Sequence, residues 1–86
     1  MGDAEETRPD LRGLVEYVAR GLVDRPEAVE VREVDDERGI TLEVRVAPED
    51  MGKVIGRGGR IVIALRTVVR AAAGRAGRRV SVEIVR

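Results

Sequence analysis

Eighty-six residues carry sixteen basic side chains against sixteen acidic ones, with no cysteine and no histidine, which makes one small domain with a single modest core. That composition excludes a disulfide framework, thiolate metal sites and the commonest general base. The few aliphatic hydroxyls (Thr7, Thr41, Thr67 and Ser81) have no partner base in view, so no catalytic residue, metal ligand or cofactor is assigned. No run of about eighteen apolar residues is present to span a membrane. The start of the chain, with Asp3, Glu5 and Glu6, lacks the basic-then-apolar pattern of a secretory signal, so a cytoplasmic binding module is expected rather than an enzyme.

Residues 1–9 read as a flexible polar tail, and the folded domain as residues 10–86. Asp10 is placed to cap a first helix whose stripe is Leu11, Leu14, Val15, Val18 and Leu22, and Pro26 prevents its continuation. Residues 29–34 and 40–46 are β-branched. The second run alternates strictly and turns Ile40, Leu42, Val44 and Val46 to one buried face. Between them residues 35–39 predict a five-residue polar hairpin loop ending in Gly39. A short helix follows over 48–56. A longer one spans 59–73, with Ile61, Ala64, Leu65, Val68 and Ala72 predicted inward and Arg66 and Arg70 outward; Gly74 and Gly77 end it. Val80, Val82 and Ile84 alternate through a last strand.

The neutral total conceals a division. Residues 1–50 hold fifteen acids and seven arginines, a net of −8, whereas residues 51–86 hold nine bases and the single acid Glu83, a net of +8. Within the basic half lies the run Val54-Ile55-Gly56-Arg57-Gly58-Gly59-Arg60-Ile61. Its glycines let the backbone turn sharply and approach a ligand, and the helix that follows points its N–H groups and positive dipole end at that place. Arg57 and Arg60 add full charges, so the loop is an anion site by construction. A dinucleotide fingerprint would need a strand before it, and a Walker loop would need Gly-Lys-Ser/Thr at its end; neither is present. A Gly-x-x-Gly loop joining two helices is the backbone clamp of the KH domain, the plain alternative being a glycine-rich turn with no ligand. The acidic half would confine a phosphate polymer to one face.

The order α-β-β-α-α-β fixes an α+β fold in which the last strand lies parallel to the middle one and the first hairpin adds an antiparallel strand. This is the arrangement of the type II, or prokaryotic, KH domain: a three-stranded mixed sheet packed on helices. Leu22-Val23-Asp24 with Pro26, the run Val46-Ala47-Pro48-Glu49-Asp50-Met51-Gly52-Lys53-Val54-Ile55-Gly56, Arg60-Ile61, Ile63 to Val69, and Val80 to Val85 resemble the small bacterial single-KH RNA-binding proteins of the KhpA type over nearly the whole chain. The resemblance implies a cytoplasmic binder of single-stranded RNA, acting as an RNA chaperone or post-transcriptional regulator, and a homodimer. It also implies an alternative: a protein-interaction subunit pairing with a larger KH-domain protein of the Jag/EloR type in control of cell elongation and division.

The candidate RNA-binding residues are Lys53, Val54, Ile55, Gly56, Arg57, Gly58, Gly59, Arg60 and Ile61. Gly56 and Gly59 turn the loop, and the amides around Gly58, Gly59 and Arg60 meet a phosphate. Arg57 adds a charge, Lys53 flanks the same backbone, and Val54, Ile55 and Ile61 wall an apolar groove or else belong to the core. Two departures stand out. Gly58 occupies a position where the resembling proteins often carry a polar side chain. Val62 and Ile63 are apolar where a polar residue is expected, so one or both face solvent or a second copy unless they close against the loop or first helix. Tyr17, in the first helix, is the only aromatic residue, which argues against readers that stack bases on aromatic platforms.

Overall fold

The computed structural model describes residues 10–74 and 79–85, so the N-terminal tail expected over residues 1–9 and the helix stop expected at Gly77 lie outside the described residues. Six principal elements follow in order: α1 (Leu11–Leu22), β1 (Glu30–Asp36), β2 (Gly39–Arg45), α2 (Met51–Ile55), α3 (Arg60–Ala73) and β3 (Val80–Val85). Single 3-10 turns at Pro26–Ala28, Pro48–Asp50 and Arg57–Gly59 join them. Asp10 caps α1 as its side chain allows, accepting from the Gly13 N–H at 3.0 Å. Val15 and Ala19 of α1 are buried, with Leu11, Val18 and Leu22 packed beside them. On its outer face Glu16 pairs with Arg12 at 3.4 Å and Arg20 at 2.7 Å.

The sheet order is β1-β2-β3, antiparallel then parallel, with Val31 opposite Val44 and Leu42 opposite Val82. The strands run further into the hairpin than their apolar residues suggest. Asp35 pairs with Ile40 and Asp36 with Gly39, so the expected five-residue loop shrinks to Glu37 and Arg38, with the Arg38 N–H donating to Asp36 Oδ1 at 2.8 Å. Polar composition misled here because strand pairing continues through residues that are exposed. Glu33 and Asp35 share the face of Leu42 and Ile40, yet they are exposed. Gly39 is required where it stands: its φ is +138°, and a Cβ there would run into the carbonyl oxygen of Arg79, which accepts from the Ile40 N–H at 2.8 Å.

One core lies between the sheet and the helices, built from Val15, Ala19, Val31, Leu42, Val44, Val46, Val54, Leu65, Val69 and Val82 with Val29. On α3 the buried stripe is Val62, Leu65, Val69 and Ala73, whereas Ala64 is exposed and Val68 is 51% exposed. The predicted stripe therefore shared Leu65 but took the neighbouring row. Ile61, Val62 and Ile63 are apolar on three sides of the helix, which leaves its phase undetermined until α1 and the sheet choose one. Their choice buries Val62 to 7% and leaves Ile63 56% exposed. Arg66, expected outward, has an exposed side chain whose Nε nevertheless donates to the Val82 carbonyl of β3 at 3.0 Å.

Candidate nucleic-acid interface

The loop between α2 and α3 concentrates three of the four positive-φ glycines of the described residues: Gly56 at φ +80°, Gly58 at +65° and Gly59 at +78°. A side chain would find different surroundings at each. At Gly56 a Cβ would lie 2.7 Å from Ile61 Cγ1 and 2.9 Å from the Ile61 backbone nitrogen, so the chain is pressed onto the first turn of α3. Around Gly58 nothing lies within 4 Å, and near Gly59 only Ile63 Cδ1 at 3.9 Å. The loop is thus closed on its inner side and open at its apex.

Its turn is held internally. The Gly56 N–H donates to the Gly52 carbonyl at 2.9 Å, ending α2, and the Gly59 N–H donates to the Gly56 carbonyl at 3.0 Å. The Arg60 N–H closes onto the Arg57 carbonyl. Two of the amides expected to meet a phosphate, those of Gly59 and Arg60, therefore have partners within the turn. The anion attraction of the site rests instead on the start of α3, fourteen residues long and without an acid in its first turn, and on the side chains of Arg57 and Arg60. Both arginines are exposed, and among the described residues neither enters an ion pair.

The remaining candidates are divided. Ile55 and Ile61 are half-buried beside the loop, while Val54 is 2% exposed and belongs to the core. Lys53 is engaged elsewhere: its Nζ lies 3.2 Å from Asp24 Oδ2 and 3.2 Å from Asp50 Oδ1. Asp50 is 0% exposed, and its other oxygen accepts from the Arg25 N–H at 3.0 Å. Burial pushes the Asp50 carboxyl up, but the Arg25 and Asp24 backbone N–H groups and the Lys53 ammonium outweigh it and hold the group below its ordinary value. Hydrogen bonds to Asp24 and then Asp50 raise Lys53 above its own. Arg25 adds a second link, its Nε 3.2 Å from Glu49 Oε2. Sequence reasoning missed this cluster. The spacing of Asp50 and Lys53, three apart at a helix start, was a local signal for half of it; Asp24 belongs to a distant segment and gave none.

Two helices joined by a GxxG turn, set against a sheet whose outer strand is parallel to the middle one, define a type II KH domain. The comparison with known families agrees with that fold. The chain belongs to the KhpA/KhpB KH domain family, whose model matches residues 12–84. It is 56% identical over 75 residues to the RNA-binding protein KhpA of Clostridium perfringens, covering 87% of this chain and 100% of that one. To the RNA-binding protein KhpA of Caldanaerobacter subterraneus it is 56% identical over 72 residues, covering 84% and 96%. To that of Mycobacterium tuberculosis it is 52% identical over 71 residues, covering 83% and 85%. No solved structure matches the chain at a significant level.

Proposed function

We propose that the GRGG loop binds the sugar–phosphate backbone of single-stranded RNA, with Arg57 and Arg60 as its charge contacts, Gly56, Gly58 and Gly59 giving the backbone close approach, and Ile55 and Ile61 bordering the bases. The observation that carries this reading is the open apex of the loop at the acid-free start of α3, flanked by two exposed arginines without ion-pair partners among the described residues. The name RNA-binding protein carried by the relatives supports it. One KH module holds about four nucleotides, and no aromatic side chain lies between residues 51 and 86 to stack on bases, so affinity is weak and sequence preference broad. That profile suits an RNA chaperone or post-transcriptional regulator acting in the cytoplasm.

The deciding variant is the double substitution Arg57→Asp with Gly58→Asp. Both positions are exposed, aspartate tolerates the left-handed conformation of Gly58 better than most residues, and two carboxylates replace attraction of phosphate by repulsion. RNA binding is expected to vanish while the urea midpoint stays close to that of the parent. A folded variant with parental affinity refutes the clamp. A second reading, self-association or docking of a larger KH-domain protein, draws on Ile63 and Val68, which α3 leaves 56% and 51% exposed.

A further inference from the structure

The helix that presents the loop is too short to sustain itself. α2 has five residues, whereas an isolated helix in water needs about 12–15 to be even marginally stable. Its direction, and with it the position of Gly56, has to come from what holds its sides. On the apolar side Val54 enters the core, with Met51 and Ile55 packed against it. On the polar side stands the cluster of Asp24, Asp50 and Lys53, which ties the start and the last turn of α2 to the segment following α1.

We infer that Lys53 is a positioning residue of the RNA site rather than a phosphate contact: its ammonium, shared between Asp24 and the buried Asp50, sets the orientation of α2 and so the entry angle of the GRGG loop. This rests on the reading of that loop as the RNA clamp. Competition between partners favours it. A lysine turned out to a solvent-exposed phosphate gains a screened contact, and in doing so strips a fully buried carboxylate of its cation. Arg57 and Arg60 have no such obligation among the described residues. The ammonium is also held from two segments, so it cannot follow a ligand without releasing one of them.

Two measurements on the full chain separate positioning from contact. In the RNA-free protein, hydrogen exchange at the Gly56 and Gly59 amides reports whether the loop is held. Lys53→Met is expected to speed both by roughly tenfold as local opening becomes easier. With fluorescein-labelled oligouridylate, the same variant is expected to bind several-fold more weakly, with the dependence of log affinity on log salt unchanged. A phosphate contact would instead flatten that slope by about 0.7 when removed. Unchanged exchange, a flattened slope or parental affinity each overturns the assignment. Should Lys53→Met fail to fold, Asp24→Asn carries the exchange test, since the Asp24 carboxylate is exposed: faster exchange at Gly56 and Gly59 supports positioning, and unaltered exchange refutes it. The exchange arm needs no RNA, so its result stands apart from loss of the clamp reading, which the Arg57→Asp, Gly58→Asp variant decides.

Discussion

Three glycines within seven residues should respond to alanine in three different ways, because their surroundings differ while the chemistry of the change is the same. At Gly56 the backbone, φ +80° and ψ 166°, lies in a region nearly confined to glycine, which costs a side chain about 1–3 kcal/mol. The added methyl also meets Ile61 Cγ1 at 2.7 Å and the Ile61 nitrogen at 2.9 Å, and a helix backbone cannot step aside as a flexible side chain would. Overpacking of that kind costs about 1–3 kcal/mol more. The total, about 2–6 kcal/mol, is a large part of the roughly 4–13 kcal/mol available to a domain of this length. At Gly58 the conformation is left-handed (φ +65°, ψ 17°) with nothing within 4 Å, so only the backbone penalty remains, about 1–2 kcal/mol. Gly52 lies inside α2 with no positive φ and open space around it, and alanine there stabilises by about 0.5–1 kcal/mol. Urea unfolding at fixed pH measures all three. Near-equal losses at Gly56 and Gly58, or a Gly56→Ala variant within about 1 kcal/mol of the parent, would refute the close approach of the loop to α3.

Affinity for single-stranded RNA should fall with salt at a log–log slope near −1.4, from two contacts at about −0.7 each, and Arg60→Gln should bring it near −0.7; a salt-independent affinity contradicts the clamp. The stabilising effect of Asp50, whose folded carboxyl titrates below its ordinary 3.8, is complete above that value and lost as pH falls through the folded one. Urea midpoints of the parent and Asp50→Asn should therefore converge in acid, and a constant gap down to pH about 2 argues against the charge. The contribution of Lys53, raised above 10.5, is complete below that value and disappears as pH rises through its folded one, so the midpoint of Lys53→Met should approach the parent's in strong alkali. Light scattering over a dilution series tests Ile63: the parent is expected to self-associate and Ile63→Lys to shift it toward monomer, while a parent monomeric at high concentration removes the idea.

Element order and strand pairing were readable because each run obeys one period: Ile40, Leu42, Val44 and Val46 alternate, and Asp10 stands where a cap must. The loop was equally legible, since three glycines near each other between helices leave few backbone solutions. What failed was phase and partnership. An apolar run at Ile61, Val62 and Ile63 carries no preferred side of its own, and only docking on α1 and the sheet selects Val62 over Ile61 and Val68. Lys53 read as a surface cation because one of its two partners, Asp50, is a buried carboxylate in a chain where acids are ordinarily solvated. Its second partner, Asp24, reaches it only through the fold.

The hydrogen bond from Arg66 to Val82 bears on how this protein avoids joining its neighbours. Because the Arg79 carbonyl faces β2, the alternation of the strand turns the carbonyls of Val80, Val82 and Ile84 away from it, toward the side of β3 on which no strand pairs among the described residues. Such a margin is a template on which another chain could add a strand and start an insoluble stack. Arg66 occupies the middle of that row with a charged, bulky head, so an incoming strand would have to displace a cation before its own amides could pair. That guard comes from a side chain of the helix that opens at the GRGG loop, and it leaves the outer strand short, apolar within and covered at its centre.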